Sequence, residues 1–340
     1  METAKISARP LAVLDRRLGL PGAERTRFLS RHHLDDGSLN GGDDAAIPLR
    51  DFVEAMEDLG AVTGDSILGW AFGESYDLQE LGEFGLALSL APTLGTALRT
   101  FERAFCTIQT GTRVRLEVEG DEATFHYTIL DQDIWPRRQD AELTLGLLSG
   151  LVRRFCGPDW RPAALGFEHG AGPGSIALSD RLRRGVRYNQ DSNSLTLSAG
   201  LLDRRRPEAS DAGFIQISRM LDRRVRETER ALRLRTRVKL AVLEGLHGGE
   251  VDQTAVAGAL GMSRRTLRRR LEEEGITFQR LVDECRHSSA VAWLTRTDLS
   301  LSEIALRLGY SDQTAFSRAF TRWAGASPRA VRKSARGLTT

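Results

Sequence analysis

The feature that most constrains this 340-residue chain is a short motif that occurs twice near its carboxyl end. The motif has the form Ala-x-x-Leu-Gly-x-Ser, at Ala257–Ser263 and again at Ala305–Ser311, an offset of 48 residues. In both copies the glycine stands where a helix must end, and the serine that follows can cap a second helix. Two copies of one supersecondary unit are therefore predicted, each a pair of helices joined by a tight turn.

The downstream copy extends from Leu299 to Arg332. Ser300 and Glu303 have the spacing of a capping box, so a helix should begin there, and we expect Ser311 to cap the next helix. Apolar residues at helical spacing mark the inner face of that second helix. The other face carries side chains suited to base edges and phosphates, namely Gln313, Thr314, Ser317, Arg318 and Arg322. For one isolated copy, an ordinary αα-hairpin with a solvated polar face is the alternative, and the second copy argues against it.

The upstream copy is richer in arginine. Its second helix, capped by Ser263, carries Arg264, Arg265, Arg268, Arg269 and Arg270. Two of these stand at the helix start, where the macrodipole disfavours positive charge and a phosphate or base partner would offset the conflict. The residues at 272–274 are glutamates that can screen the basic face by weak pairs of about 0.2–0.5 kcal/mol each. The two copies are offset by 48 residues in the turn motif but by 49 residues in the second helix, a shift of one residue. The segment 278–294 is predicted to be a spacer helix between the copies.

The charge is unevenly distributed along the chain. From Arg235 to Thr340 there are 18 Lys and Arg against 11 Asp and Glu, a net charge of +7, which leaves −5 for the preceding residues because the whole chain carries +2. A basic module joined to an acidic one suits binding of a polyanion by one module only. Charge alone does not distinguish DNA from RNA or an anionic membrane surface.

Several other classes of protein are disfavoured. The amino terminus lacks the apolar core of a signal peptide and no segment reaches about 18 apolar residues, so a cytoplasmic protein without membrane contact is expected. Cys106, Cys156 and Cys285 form no CxxC pair, which predicts buried thiols rather than disulfides, zinc ligands or redox sensors. No histidine has companion ligands, and no P-loop, nucleophile elbow or HExxH motif occurs. Neither an enzyme nor a metal or cofactor site is predicted.

The sequence before the repeat predicts a mixed α and β domain. Alternating residues at 114–118 and 125–129 indicate a β-hairpin, helical spacing returns at 141–155, and short strands are expected at 164–169, 186–188 and 195–197. Gly170–Ser175 is expected to be a flexible loop rather than a phosphate cradle, since it lacks the P-loop Lys and no strong helical pattern follows. We predict an α+β domain over residues 1–205, a linker and helix over 206–234, and an all-α domain with two helix-turn-helix units joined by a spacer helix over 235–340. The helix that begins near Phe214 can either pack on its own domain or pair with a second subunit.

Several separated motifs of the carboxyl-terminal part carry a family resemblance. They are Leu260-Gly261-Met262-Ser263 with Leu267 and Arg269, then Arg286, then Ile304-Ala305, Leu308 to Asp312, Phe316 to Phe320, Gly325, Ser327-Pro328 and Arg332. Together they resemble the double helix-turn-helix domain of the AraC/XylS family of transcription regulators. Residues 84–101 resemble, more weakly, the regulatory domain of the subgroup that includes the ornithine-utilisation regulators.

The resemblance implies a sequence-specific regulator of transcription that places two recognition helices in successive major grooves of double-stranded DNA, roughly 34 Å apart. By motif position it implies base contacts from Arg265, Arg268, Arg269, Gln313, Thr314, Ser317 and Arg318, and phosphate contacts from Arg264, Arg270 and Arg322. It also implies an activator that contacts RNA polymerase and responds to a small-molecule effector in the first domain, with a homodimer as a further expectation. The residues that would bind the effector are unknown from the sequence. The alternative is a regulator whose first domain serves only for oligomerisation or protein contact.

Overall fold

The computed structural model describes residues 4–42, 45–183, 185–206, 211–247 and 251–337. It divides into two compact units, one reaching to Thr228 and the other beginning at Glu229. The first unit contains both helices and sheets, and the described part of the second is entirely helical. The predicted fold class is therefore confirmed. Within the predicted linker, residues 207–210 lie outside the described part of the chain.

The sheets of the first unit are antiparallel. Strand β1 (Lys5–Ser7) pairs with β2 (Ala46–Pro48), and a four-stranded sheet has the order β3-β4-β6-β5. Its strands are β3 (Thr112–Glu119), β4 (Glu122–Ile129), β5 (Ala164–Gly166) and β6 (Asn193–Ser198). The predicted hairpin is β3 and β4, joined at Gly120, whose positive φ of 57° suits glycine. The strand predicted at 186–188 is wrong, because Arg187 forms only an isolated bridge to Gly166.

Ten α-helices are described around these sheets. They are α1 (Arg9–Leu18), α2 (Gly22–Arg31), α3 (Asp36–Asn40), α4 (Leu49–Thr63), α5 (Leu68–Glu74), α6 (Gly82–Leu90), α7 (Leu94–Ala104), α8 (Arg138–Cys156), α9 (Ser175–Leu182) and α10 (Asp211–Ala231). The most buried is α8, which packs on the sheet and on α5. A glycine at position 73 allows this close approach, since a Cβ there would lie 2.1 Å from the carbonyl oxygen of Leu143.

In the glycine-rich segment Gly170–Ser175, positions 170, 171 and 173 are exposed, whereas Gly174 is buried and closely packed. A Cβ on Gly174 would lie 2.2 Å from Nη2 of Arg138 and 2.3 Å from the carbonyl oxygen of Ser66. Helix α9 begins at Ser175, the last residue of this segment, although no strong helical pattern was expected there. Gly172 and Gly174 therefore serve close packing against Arg138, which explains these two glycines without a phosphate.

Helix α10 packs on the first unit. Ile217, Leu221 and Val225 are buried in the core of that unit, and Asp222 forms an ion pair with Arg103 of α7. The sequence left open whether this helix packs on its own domain or pairs with a second subunit. The apolar stripe of this helix, at spacings of four residues, is buried in the core of the first unit, so the helix packs on its own domain.

The second unit consists of seven described helices. They are α11 (Leu234–His247), α12 (Gln253–Ala259), α13 (Arg264–Glu273), α14 (Phe278–Arg296), α15 (Leu301–Arg307), α16 (Gln313–Ala324) and α17 (Pro328–Gly337). Its downstream half has a core built on Trp293, Leu294, Ile304, Phe316 and Phe320. Among the described residues, no helix combines the length and the apolarity needed to cross a bilayer.

The three cysteines differ in their exposure. All are free thiols, and Cys285 is buried, where desolvation raises the pKa of its thiol to about 12. Cys106 and Cys156 are partly exposed, so the prediction of buried thiols is correct for Cys285 alone.

Candidate nucleic-acid interface

The upstream helix-turn-helix unit is α12 and α13. Asp252 caps α12 by accepting hydrogen bonds from the backbone N–H of Thr254 and Ala255, and the turn ends at Gly261, whose φ is 68°. Ser263 then caps α13 by accepting from the N–H of Thr266 at 3.1 Å, as the sequence predicts. The local signal of this copy was therefore sufficient to place the start of α13.

Helix α13 presents its basic residues to solvent. Leu267 and Leu271 are buried on its inner face. The predicted DNA-binding residues of this helix are all exposed, namely Arg264, Arg265, Arg268, Arg269 and Arg270. Two of the expected ion pairs form, from Arg268 to Glu272 at 3.5 Å and from Arg269 to Glu273 at 2.8 Å. These pairs are solvent-exposed and weak, so a phosphate can displace the glutamates at small cost.

The downstream unit is α15 and α16. Ser300 and Glu303 form the predicted capping box, with the serine hydroxyl accepting from the Glu303 N–H and the glutamate accepting from the Ser300 N–H at 2.7 Å. The turn passes through Gly309 at a φ of 76°. Helix α16 follows and buries Phe316, Ala319 and Phe320.

The cap of α16 differs from the prediction. Asp312, not Ser311, is the N-cap, accepting from the N–H of Ala315 at 2.7 Å, while the Ser311 hydroxyl donates to the Asp312 carboxylate at 3.2 Å. This hydrogen bond from the Ala315 N–H lowers the pKa of Asp312. The two recognition helices, α13 and α16, are thus related by an offset of 49 residues rather than 48. Ser311 is the extra residue of the second turn, which explains the shift by one between the copies.

When α13 and α16 are aligned at their N-caps, Ser263 and Asp312, residues of similar type fall at the same helix positions. The buried pair Leu267 and Leu271 corresponds to Phe316 and Phe320, and Arg269 corresponds to Arg318. On α16, Thr314, Arg318 and Arg322 are exposed, whereas Gln313 and Ser317 are half-buried. All ten predicted residues therefore lie on two helices of the same construction, five on each.

The spacer helix α14 contacts the downstream helix-turn-helix unit through aromatic rings. The guanidinium of Arg286 lies 5.0 Å from the ring centre of Tyr310, in the second turn, and the His287 ring contacts Phe320 and Trp323 at 5.9 and 6.1 Å. At 1.5 Å per residue, its 19 residues span about 28 Å. Helix α14 contacts α15 and α16 of the downstream helix-turn-helix unit, and it contacts α11, which in turn contacts α12 of the upstream unit.

Several residues that hold this arrangement have structural roles that were not predicted from the sequence. The carboxylate of Glu284 in α14 forms ion pairs with two residues of α11, Arg235 at 3.0 Å and Lys239 at 2.7 Å. Burial alone would raise the pKa of Glu284, but hydrogen bonds from Lys239 and Arg235 outweigh it and lower that pKa. Arg332 of α17 donates to the carbonyl oxygens of Leu294 and Leu299. These contacts join distant segments, so no local signal could identify them.

Comparison with known proteins identifies the family. Residues 22–205, more than half of the chain, match the family model described as the arabinose-binding domain of AraC transcription regulator, N-term. The chain belongs to the AraC family of transcription regulators. Residues 256–334 match the model of a helix-turn-helix domain, which implies DNA binding. AraC-family membership places the chain among transcription regulators rather than enzymes, as predicted.

Relatives of this AraC-family chain match along most of its length. The transcriptional regulator VirS of Mycobacterium tuberculosis is 27% identical over 323 residues, which cover 92% of this chain and 91% of VirS. The ornithine utilization regulator of Pseudomonas aeruginosa is 25% identical, covering 84% of each chain, which confirms the predicted likeness of the amino-terminal part. The crystal structure of the regulator CdpR from Pseudomonas aeruginosa is 26% identical, covers 90% of this chain and 96% of CdpR, and superposes with a TM-score of 0.41.

Proposed function

We propose that this regulator is a cytoplasmic activator that binds a specific promoter sequence through both recognition helices, under the control of a small molecule held in the first unit. The observation that carries the proposal is the matched pair α13 and α16, each capped by an acidic or hydroxyl side chain and each presenting polar or basic residues away from its core. Helices of this construction enter major grooves, where side chains reach base edges.

The composition of the two exposed faces supports a division of roles. On α13 the face is formed by five arginines, which suit phosphate contacts and bidentate contacts to guanine. On α16 it combines an amide, two hydroxyls and two arginines, a set that can read more kinds of base edge. We assign base contacts to Arg265, Arg268, Arg269, Gln313, Thr314, Ser317 and Arg318, and phosphate contacts to Arg264, Arg270 and Arg322.

Two protein partners belong to the proposal. An activator bound beside a promoter contacts RNA polymerase, and a second copy of the chain would double the number of recognition helices on the site. In the alternative, the first unit binds no metabolite and serves only as an oligomerisation or protein-contact module.

Mapping of bound DNA in cells, followed by quantitative binding to the recovered sequence, tests the proposal. We expect one recurrent site with two half-elements about 10 base pairs apart, centre to centre, because both recognition helices lie on one chain. We further expect that transcription from that promoter falls when the gene is deleted. Scattered binding without a common sequence, or higher transcription after deletion, would contradict specific activation.

The full-length chain is the right material for testing effector control. A fragment ending at residue 205 would lack α10, whose buried residues Ile217, Leu221 and Val225 belong to the core of the first unit. Thermal unfolding of the whole protein with candidate metabolites should show a ligand-dependent increase in Tm. If no metabolite changes either Tm or promoter binding, the alternative role of the first unit is favoured.

A further inference from the structure

Strand β3 lies at one edge of the four-stranded sheet of the first unit. It is eight residues long, contains no proline, and pairs with β4 residue for residue without a bulge. The opposite edge is formed by β5, which has three residues. Short strands, prolines and bulges are the usual means by which proteins prevent an edge strand from pairing with another chain. Because β3 has none of them, it is a candidate interaction surface.

The backbone hydrogen bonds show which groups of β3 face away from the sheet. The N–H of Leu116 donates to the carboxylate of Glu102 in α7 at 3.1 Å instead of to β4. Successive residues of an antiparallel strand alternate in this direction, so the N–H and C=O groups of Val114 and Val118 also point outwards. Among the residues that the structure describes, the amides of Val114 and Val118 have no hydrogen-bond partner.

The sequence of β3 is self-complementary in charge. Arginines stand at 113 and 115 and glutamates at 117 and 119, on either side of Leu116. When two copies of the strand pair antiparallel about Leu116, Arg115 of each copy lies opposite Glu117 of the other, and the signs at 113 and 119 are opposite as well. A twofold axis at 114, 115, 117 or 118 instead places like charges opposite each other, which destabilises the pairing. Charge therefore selects the register about Leu116.

The same register suits the backbone and the apolar side chains. It pairs Leu116 with Leu116 and Val114 with Val118 of the second copy, so outward N–H groups meet outward C=O groups. These side chains share the face of the sheet that carries buried Phe125. Leu116 is half-buried and Val118 is 51% exposed, so pairing covers apolar surface that a single copy leaves open. The pairing needs residues 114–118 alone, all of them described.

The ion pairs set the register rather than supply the main attraction. In the single chain, Nε of Arg115 lies 3.1 Å from Oε1 of Glu117, and both side chains are partly exposed. Pairing exchanges this weak contact for an equivalent one between copies, with little change in energy. Arg113 already has a partner in its own chain, so the opposite signs at 113 and 119 serve only to avoid repulsion.

We propose that two copies of this chain join through β3, paired antiparallel about Leu116, so that the sheet continues from one copy into the other. This inference rests on the second copy named in the proposed function and gives that copy its interface. Glu102 competes with the pairing, because the Leu116 N–H must leave the Glu102 carboxylate to donate to the Leu116 carbonyl of the second copy. The variant Glu102→Ala is therefore expected to dimerise several-fold more tightly than the wild type.

Charge reversal tests the register in the full-length protein, with dimer affinity measured by sedimentation equilibrium. We expect a wild-type dimer, and about tenfold weaker dimers for Arg115→Glu and for Glu117→Arg, since each variant opposes like charges. An equimolar mixture of these two variants should recover wild-type affinity, as should Arg115→Glu/Glu117→Arg, because both restore opposite charges across the interface. The matched control Arg27→Glu, at an exposed position on α2, should associate like the wild type.

A disulfide bond reports the register directly. Leu116→Cys places two thiols at the twofold axis with their Cα atoms about 5.5 Å apart, within the range of a disulfide. Val118→Cys is the control, because position 118 faces 114 of the second copy and lies several residues from its own equivalent. Cys106→Ser/Cys156→Ser removes the partly exposed thiols from both proteins. Oxidation should link the Leu116→Cys protein and leave the Val118→Cys protein unlinked.

Three results would overturn this interface: a wild type that stays monomeric, single charge reversals that dimerise like the wild type, or linking of Val118→Cys in preference to Leu116→Cys. Circular dichroism and Tm verify that each variant is folded. Promoter binding measured in parallel separates this inference from the proposed function. A wild-type dimer that neither reversal weakens supports the second copy and rejects β3 as its interface. Dimers that follow the expected pattern, in a protein that binds DNA without sequence preference, support β3 and reject the proposed function.

Discussion

The Nε of Arg264, at the first position of α13, donates a hydrogen bond at 3.2 Å to Oε1 of Gln253 on the preceding helix. The same relationship recurs in the second unit, where the Ser302 hydroxyl donates to Oε1 of Gln313 at 3.3 Å, again across 11 residues. Each recognition helix is therefore tied at its first residue to the first helix of its own unit. Gln313 still carries its amide N–H donors, so the contact is compatible with reading a base edge.

The cap of α16 gives a first prediction. Asp312→Ala removes the acceptor for the Ala315 N–H, so amide exchange in the first turn of α16 should become roughly fivefold faster. Ser311→Ala should have a much smaller effect, because the Ser311 hydroxyl only donates to the cap. Hydrogen exchange by mass spectrometry of peptides covering residues 313–324 measures both, with wild-type peptides from α13 as the internal control. A larger effect from Ser311→Ala would contradict the assignment of the cap.

The arginines of α13 give a second prediction, about salt dependence. Arg264→Ala/Arg270→Ala removes two predicted phosphate contacts and should reduce the slope of log K against log salt by about 1.8. Thr314→Ala/Ser317→Ala on α16 should leave that slope unchanged and alter the preference among base sequences. Fluorescence anisotropy over a series of salt concentrations tests both variants on one DNA site. Equal slopes for all the proteins would argue against phosphate contacts by Arg264 and Arg270.

How far the sequence predicts the structure depends on whether the signal is local. The residues that cap a helix lie within four positions of the amides they satisfy, so Ser263 and the Ser300 and Glu303 pair were identified correctly. Ser311 and Asp312 are adjacent and both suit a cap, and only the folded turn decides between them. The alternating pattern of β3 and β4 was likewise sufficient, whereas residues 186–188 have a similar pattern and form one isolated bridge.

Features that depend on distant residues could not be predicted. Asp140 and Glu142 occur in a helical pattern that also suits solvent-exposed acids, but both are buried in the folded unit. The packing of Gly174 depends on Arg138 and Ser66. In each case the decisive neighbour is supplied by another segment of the chain.

The buried carboxyl group of Asp140 gives a third prediction, about pH. Its Oδ2 accepts from the Tyr127 hydroxyl at 2.6 Å, and burial raises its pKa to about 7. The native state therefore binds a proton more tightly than the unfolded state, so the contribution of this group to stability is present below about pH 4 and is lost as pH rises towards 7. Asp140→Asn should remove this loss, so the stability of the variant relative to the wild type should increase by about 2–4 kcal/mol from pH 4 to pH 8.

Amide exchange in α8, corrected for the intrinsic rate at each pH, measures that difference as a change in opening free energy. Burial raises the pKa of Glu142 to about 7 and lowers the pKa of His169 to about 4. Each of these groups therefore adds its own pH dependence to the stability of the wild type. Because both residues remain in the variant, the comparison isolates Asp140. A constant difference between the two proteins from pH 4 to pH 8 would show that Asp140 has the same pKa in the native and unfolded states.

The central claim is that α16 reads the base sequence through Arg318, while Arg322 contacts the DNA phosphate backbone. The most direct test compares the DNA affinities of Arg318→Ala and Arg322→Ala on the mapped site and on random DNA. Arg318 is exposed at the position equivalent to Arg269, and Arg322 lies near the carboxyl end of the helix with its Nη2 3.9 Å from Asp283. The account predicts that Arg318→Ala loses about 1–3 kcal/mol on the mapped site with little change on random DNA, whereas Arg322→Ala weakens both alike. Equal losses on the mapped site and random DNA for both variants would contradict it.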